Sequence, residues 1–279
     1  MTINAPAQIH LPATQPRAVG EATLKVKHRD SETHVASLVQ RGSLKLLFPR
    51  GDRSAMTAVL LNTAGGVTGG DRFETNVRAC ENCRLIMTTQ AAERAYRAQP
   101  GETGSIRTEL SVNHGARLDW LPQETILFQG ASLRRSLHLR VAEGASGLIV
   151  EPVIFGRKAM GEVVTELSFH DRIDIEQGGK LLFSDRTRID GNAARTLSGR
   201  ATGQHASAMA TLVFVGPDAE LRLARAREML PPLTGVSMPR GGLICARLIA
   251  QDGFTLRQKL IPLISVFRDT PDLPRTWMI

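Results

Sequence analysis

The sequence predicts a mainly β fold of β-helix-like stacked coils, each of about 30 residues, with a few short helices. From residue 21 onward, apolar and polar side chains alternate with a period of two, which is typical of half-buried strands. In the middle of the chain a strongly apolar strand recurs, and its leading leucines lie 33, 30 and 33 residues apart. The recurring strands span 84–89, 117–122, 147–152 and 180–185. This period favours coils that cover one another's apolar faces, and the competing architecture is a plain β-sandwich.

The chain begins with a segment that we expect to be disordered. Residues 1–20 contain three prolines among small polar residues and no apolar run of signal-peptide length. Further strand patterns occupy 23–28, 33–40, 43–48, 54–62, 72–78, 105–112, 136–141 and 163–169. The first part of the chain therefore predicts strands joined by short turns.

In the last third of the chain, helical spacing occurs beside the strands. Residues 208–215 and 243–250 have the composition of apolar strands. Residues 218–229 have helical spacing, with Asp218 as the N-cap. We expect a second short helix at 255–267 that is broken at Pro262. These elements complete a single domain that we place at residues 21–279.

The composition limits the kinds of partner and compartment. Lys and Arg number 35 against 27 Asp and Glu, which gives a net charge of +8 and favours anionic partners. Aromatic residues make up only 4% of the chain and no basic run carries stacking rings, so we expect no nucleic-acid partner. No apolar segment is long enough to span a bilayer, and three cysteines provide no disulfide framework. We therefore expect a soluble cytoplasmic protein with no membrane partner.

A glycine-rich corner directly follows the apolar run 58–61. It contains Gly65, Gly66, Gly69 and Gly70. A phosphate-binding loop needs Lys and Ser or Thr after its last glycine, but here Asp71 and Arg72 follow, and an aspartate would repel a phosphate. We therefore predict that the four glycines are structural and form a tight turn that leaves a buried strand. Asp71 remains a residue to test for a role with a metal or a partner.

The chain lacks the residue patterns of common metal and catalytic sites. Cys80 and Cys83 have metal or redox spacing, but Cys245 stands alone and a four-ligand zinc site needs a second pair. We therefore predict a thiol pair on a β-turn. None of the seven histidines lies in a zinc-binding pattern, and no serine lies in a Gly-x-Ser-x-Gly sequence. The residues thus give no support to nucleophilic hydrolase chemistry.

Oxygen-bearing side chains follow the recurring strands at similar positions, and stacking of the coils would align them along one seam. Glu162 closes a basic turn that begins at Gly156, for which the competing interpretation is an exposed loop with a salt bridge. Carboxylates without His or Cys bind divalent cations weakly and release them readily, so they suit the passage of a metal better than its storage. The predicted transient ligands are Glu124, Glu151, Glu162, Asp185 and, at the glycine corner, Asp71, with Thr88 and Gln123 as lesser lining.

Five sequence motifs occur together in the chain. They are Asn-Thr-Ala-Gly-Gly-Val-Thr-Gly-Gly-Asp at 62–71, Thr-Thr-Gln-Ala-Ala-Glu-Arg-Ala-Tyr-Arg at 88–97, Trp-Leu-Pro-Gln-Glu at 120–124, Gly-Arg-Lys-Ala-Met-Gly-Glu at 156–162 and Leu-Pro-Arg-Thr-Trp at 273–277. In this order they resemble the urease accessory proteins called UreD, or UreH in some systems. The resemblance covers about residues 20–279, and the co-occurrence is far more specific than any single motif. Thr276 and the last two residues depart from the commoner endings, which affects only the detail of the C-terminus.

The resemblance implies a non-catalytic chaperone rather than an enzyme, with a mostly β, β-helix-like fold. Proteins of this family bind the urease apoprotein and UreF, which recruits the GTPase UreG, and the assembly delivers nickel to the urease active site. The resemblance also implies Ni²⁺ in transit through an internal passage, no tightly bound cofactor, and GTP bound only by the partner GTPase. We expect Arg275 and an exposed Trp277 to contact a protein partner, although Trp277 could equally cover the core. The alternative is a binding platform for UreF and urease that does not handle the metal.

Overall fold

The computed structural model of the chain describes residues 15–50, 55–229, 233–268 and 272–278. Residues 1–14 of the predicted disordered tail lie outside the described residues, and its last two, Val19 and Gly20, already belong to the first strand. The strands formed by the described residues are β1 (Val19–Arg29), β2 (Glu32–Gly42), β3 (Leu44–Leu47), β4 (Met56–Asn62), β5 (Arg72–Ala79), β6 (Arg84–Thr89), β7 (Glu93–Ala95), β8 (Gly104–Val112), β9 (Arg117–Leu121), β10 (Thr125–Leu127), β11 (Ser132–Val141), β12 (Ser146–Phe155), β13 (Leu167–Gln177), β14 (Lys180–Gly191), β15 (Ala208–Val215), β16 (Thr234–Arg240) and β17 (Leu243–Ala250).

Two sheets provide the long sides of the fold. The first sheet has the strand order β14-β13-β11-β8-β5-β1-β2, and the second has the order β16-β17-β15-β12-β9-β6-β4-β3. The short strands β7 and β10 form a third side together with the end of β12. Alternating side chains of both sheets point inward, and Leu24, Leu85, Leu118, Leu139 and Phe169 are among the fully buried residues of the main core.

The parallel strands are successive sides of stacked coils, which confirms the predicted fold class. One coil consists of β6, β7 and β8, and the next consists of β9, β10 and β11. Leu85 pairs with Leu118, as the sequence repeat predicts. Leu118 pairs with Gly147 rather than with Leu148, so the next step of the predicted repeat is one residue out of register.

The last predicted repeat is wrong, because β14 does not continue the second sheet. It turns back antiparallel against β13 at the edge of the first sheet. The reversal takes place at Gly178 and Gly179, whose φ angles of 57° and 75° suit a two-residue hairpin turn that glycine adopts without a Cβ clash. Asp185 therefore does not occupy a position equivalent to Glu124 or Glu151.

The glycine corner connects β4 to β5, and these three segments form the first coil, of which the corner is the short third side. Val67 bridges in parallel to Ala95 of β7, and its amide donates to the Arg94 carbonyl oxygen over 2.8 Å. Gly66, with φ of 156°, lies where a Cβ atom would come within 2.6 Å of that same carbonyl oxygen and would overlap the Tyr96 ring. The predicted structural role of the corner thus has a specific cause, the close approach of two coils at Gly66.

We expect Gly66→Ala to lower the free energy of unfolding by about 3 kcal/mol, because the new methyl group must push two coils apart. Gly65→Ala is the matched control, since Gly65 has φ of 80° but no atom within 4 Å of the added Cβ. The control should cost only about 1 kcal/mol, the conformational penalty of a left-handed alanine. Denaturant titration of both purified variants measures the difference, and equal losses would contradict the close-approach explanation.

The helices are α1 (Ala193–Ser198), α2 (Ala219–Glu228) and α3 (Gly253–Phe267), with 3₁₀ turns at Lys158–Met160 and Arg275–Trp277. α2 and α3 cover the outer face of the second sheet, whereas α1 contacts β14 of the first sheet and adds Ala193 to the main core. The predicted break at Pro262 is wrong, because α3 continues through it and buries Leu256, Leu260 and Leu263 in a second core against β15 and β17. None of the helices in the described part of the chain is both long and apolar enough to cross a membrane.

Candidate functional site

The two sheets enclose a small cavity of about 70 Å³ with a partly polar wall. Its polar lining comprises Thr75, Thr89, Glu93, Thr108, Gln123, Thr125, Arg135, Ser136, Glu151 and Asp171. A cavity of this volume has room for a few water molecules. The side-chain nitrogen of Gln123 is buried and has no hydrogen-bond partner among the described residues. Because buried amide groups nearly always find a partner, this cavity is suited to water or another polar guest.

A buried charge cluster forms one wall of the cavity. The Arg135 guanidinium reaches across from β11 and donates to both carboxylate oxygens of Asp171 over 3.1 and 2.6 Å. It also donates to Oε2 of Glu151 and to the Thr125 hydroxyl, each over 2.8 Å. The other oxygen of Glu151 accepts from the Trp120 indole over 2.7 Å.

Burial governs the titration of this cluster. It raises the pKa of Glu151, against the opposing effect of the nearby Arg135 charge. Burial also opposes the charge on Arg135, yet Asp171 and Glu151 together raise the pKa of the guanidinium above its ordinary value. Arg135 is thus a permanent positive charge inside the cavity wall.

A surface cleft of about 220 Å³ adjoins the cavity on the side of the glycine corner. Four residues line both spaces, namely Leu44, Leu60, Thr89 and Glu93. The rim of the cleft includes the exposed residues Gly65, Gln90 and Arg94. Glu93 is therefore the carboxylate at the wall between solvent and the interior. Burial raises its pKa, although Asn62 Nδ2 donates to its oxygens over 3.2 and 3.3 Å.

The structure brings only part of the predicted ligand set to this cavity. Glu151 and Gln123 line it, as the seam hypothesis requires. Glu124 does not line it; its side chain pairs with Arg257 of α3 over 3.1 Å, and the same guanidinium donates to Gln123 Oε1 over 2.9 Å. Thr88 also points away, since its hydroxyl bonds that of Thr276 over 3.1 Å, whereas its neighbour Thr89 faces the cavity. Adjacent strand residues face opposite sides of a sheet, and the prediction chose the outward threonine.

The other three predicted acids, Asp71, Glu162 and Asp185, do not line this cavity. Asp71 accepts from the amides of Ala18 and Thr68 over 2.7 and 2.8 Å and thereby fixes the exit of the glycine corner. Asp185 forms an ion pair with Arg247 that joins β14 of the first sheet to β17 of the second, and neither residue lines the cavity. Among the described residues, no three His, Cys, Asp or Glu side chains are grouped so that they could hold a metal ion.

Glu162 stabilises its own turn. Its carboxylate accepts from the backbone amide and the guanidinium of Arg157 over 2.9 Å, and from the Gln129 amide over 3.2 Å. The Arg157 hydrogen bond is the main reason that its pKa falls to about 2. The salt-bridged loop that competed with the ligand interpretation is the arrangement observed.

The C-terminal residues also differ from the prediction of an exposed anchor. Arg275 is exposed, but Trp277 is only 2% exposed and belongs to the second core. Its indole donates to the Leu121 carbonyl oxygen over 2.9 Å. The Arg257 guanidinium stacks 5.0 Å from its ring. Trp277 therefore covers the core, which was the competing interpretation.

The thiol pair lies on a tight turn, as predicted. The Cys83 amide donates to the Cys80 carbonyl oxygen over 3.2 Å, and both thiols are free. Burial raises the pKa of Cys83 to about 11, which keeps this thiol protonated and unreactive at neutral pH.

Sequence reasoning missed three charged residues of the cavity, namely Glu93, Arg135 and Asp171. Arg135 and Asp171 pair directly across β11 and β13, and both face inward among apolar neighbours. The signal was available in the alternation of β11, where Arg135 replaces an apolar residue in the run Leu133, Leu137, Leu139. A charge at an inward position indicates a buried partner or a function.

Comparison with known proteins identifies close relatives along nearly the whole chain. The family model described as UreD urease accessory protein matches residues 18–278. A urease accessory protein UreD of Ruegeria pomeroyi is 49% identical, and the match covers 87% of this chain and 94% of that protein. Proteins of the same description from Roseobacter denitrificans and Rhizobium etli are 46% and 42% identical. Those two matches cover 96% and 95% of this chain, and 97% of each relative.

Proposed function

The chain belongs to the UreD urease accessory protein family, and we propose that it serves urease maturation by conducting Ni²⁺ through the cavity between its sheets. The observation that carries this proposal is a cavity between the two sheets with a charge cluster in its partly polar wall, which at Glu93 adjoins a cleft open to solvent. Most β cores have no such polar interior, because burying charged groups is costly unless they have a purpose or a partner.

The donor set supports transit rather than storage. Around the cavity the candidate ligands are carboxylate, hydroxyl and amide oxygens, and the lining formed by the described residues contains neither thiol nor imidazole. Such oxygen donors hold Ni²⁺ weakly and exchange it readily. Among the described residues, the lining contains three acids and one arginine, and its ionised carboxylates attract a cation. In this scheme the protein is not an enzyme, and the metal is its cargo.

The partners in this proposal follow from the family. The chain binds the urease apoprotein and UreF in the cytoplasm, and UreF recruits the GTPase UreG, which alone binds GTP. The net charge of +8 supports contacts with acidic protein surfaces. Nickel then passes from the GTPase side through the accessory protein to urease.

The test is the double variant Glu93→Gln with Glu151→Gln, which removes two negative charges and keeps the side-chain shapes. Coexpressed with urease and its other accessory proteins, it should lower the nickel content and activity of urease about tenfold. Asp185→Asn is the control, since Asp185 lies outside the cavity and should leave urease activation unchanged. Copurification checks that the complex still assembles.

The same experiment decides the alternative function. A purely structural platform would keep urease and UreF together while the metal travels elsewhere. In that case the Glu93→Gln and Glu151→Gln double variant assembles and activates urease normally, and the cavity has no part in delivery.

A further inference from the structure

We propose that Arg135 acts as a built-in counter-cation that prevents the cavity from retaining a divalent metal ion. This inference rests on the proposed function, because the cation that it concerns is the Ni²⁺ cargo. The binding test below does not depend on that function, since it measures Ni²⁺ binding by the purified protein. The guanidinium projects from β11 into the cavity wall, and its side chain is 9% exposed. Nε, Nη1 and Nη2 all donate to partners that line this space.

The carboxylates that could bind a metal are already engaged by this cation. Asp171 uses both of its oxygens for the Arg135 fork. Glu151 uses one oxygen for Arg135 and the other for the Trp120 indole. Each of these carboxylate oxygens therefore already accepts a hydrogen bond, and an arriving cation must compete with charge-assisted hydrogen bonds from Arg135 to bind them.

The charges explain why the cavity still admits a cation. Arg135 balances one of the two carboxylates that it contacts, and Glu93 stands apart at the wall shared with the cleft. The remaining negative charge attracts a divalent ion, while the hydrogen bonds from the Arg135 guanidinium hinder Asp171 and Glu151 from coordinating that ion together. Arg135 cannot lose its proton in a protein, and the Phe169 ring at 5.4 Å adds a cation–π contact. The positive charge therefore stays in place between the two carboxylates.

Removal of the guanidinium would turn the wall into a ligand set. Asp171, Glu151 and Thr125 approach Arg135 from three different strands, each within 2.8 Å of it. Their oxygens therefore converge on the volume that the guanidinium now fills. Two carboxylates and a hydroxyl in a low-dielectric setting are suitable ligands for a divalent cation. The fold thus contains a latent metal site that Arg135 keeps closed.

Arg135→Met tests this directly, because methionine removes the charge while it retains part of the side-chain volume. In equilibrium dialysis of the purified protein against Ni²⁺, we expect the variant to gain one site that binds at least about tenfold more tightly than any cavity site of the wild type. In cells, the same variant should retain nickel and lower urease activation. A folded Arg135→Met protein that binds no more Ni²⁺ than the wild type overturns the proposal.

Arg140→Met is the matched control for the loss of a guanidinium. Arg140 lies on the same strand but on the outer face, 48% exposed, and pairs with Glu109 and Glu176 over 3.0 and 3.9 Å. It should bind Ni²⁺ as the wild type does, and an equal gain in this variant would also overturn the proposal.

A second variant keeps the test decisive if Arg135→Met does not fold. Arg135→Met combined with Glu151→Gln removes one positive and one negative charge and leaves Asp171 free. It should bind Ni²⁺ at least about threefold more tightly than the wild type, and unchanged binding contradicts the role of Arg135. If the Glu93→Gln and Glu151→Gln variant activates urease normally while Arg135→Met captures Ni²⁺, the passage fails but the latent site stands.

Discussion

Replacing Trp277 by alanine is expected to lower the free energy of unfolding by about 3–5 kcal/mol, the usual cost of deleting a buried tryptophan side chain. The indole is 2% exposed, packs in the second core and donates to the Leu121 carbonyl oxygen. Its backbone carbonyl also accepts from Arg257 over 2.6 Å, so the C-terminal turn is tied to α3. The variant removes both the packing and the partner of a buried carbonyl oxygen.

Denaturant titration of the purified protein measures this loss, with Arg275→Ala as the neighbouring control. Arg275 is exposed and should change stability by no more than about 0.5 kcal/mol. If Trp277→Ala instead leaves stability unchanged and abolishes capture of a partner protein, Trp277 is the interface anchor that the sequence predicted. The comparison of the two variants thus shows whether the C-terminal residues stabilise the fold or bind a partner protein.

The stacked-coil architecture could be predicted because it repeats the same local pattern. The apolar strands at Arg84–Thr89 and Arg117–Leu121 align residue for residue in the structure. Every residue of Arg117–Leu121 is buried, since the core lies on one side of it and the helices of the last third cover the other. Apolar residues therefore occupy both faces of the strand, with Leu118 in the main core and Leu121 in the second core, and such a run is easily detected in a sequence.

The failed repeat shows the limit of the same reasoning. An apolar strand pattern identifies a strand but not the strand with which it pairs. β14 begins with an apolar run, yet Leu181 is 56% exposed at the edge of the first sheet. The two glycines before it decide the direction of the chain, and a sequence pattern reports them only as a turn.

The sequence predicted a residue of the candidate site only where the pattern of one strand determines that the residue faces the cavity. Glu151 follows directly from the run of apolar residues in β12 and does line the cavity. Arg135 and Asp171 come from the opposite sheet, so their meeting with Glu151 depends on how two sheets face each other. A shift of one residue in either sheet would point these charges outward, and no local sequence signal fixes that relation.

Replacing Asp119 by alanine is expected to lower the free energy of unfolding by about 3–5 kcal/mol, because it removes a buried carboxylate that two buried guanidinium groups contact. Asp119 accepts from Arg117 over 2.9 Å and from Arg268 over 3.2 Å, and all three side chains are at least nine-tenths buried. Arg117 also reaches the Phe267 carbonyl oxygen at the end of α3. The carboxylate therefore joins the coils to the helix that covers the second sheet.

Glu109→Ala is the matched control, since Glu109 also bridges two arginines, Arg107 and Arg140, but on the open face of the first sheet. Arg107 and Arg140 are 63% and 48% exposed, and ion pairs to such solvated groups contribute little, so the loss of Glu109 should cost no more than about 1 kcal/mol. Thermal and denaturant unfolding of both variants give the comparison. Similar losses for the two would mean that burial does not set the cost of these charges. That result would also weaken the argument that Arg135 controls metal binding in the cavity, because both inferences assume that burial strengthens the interaction between charges.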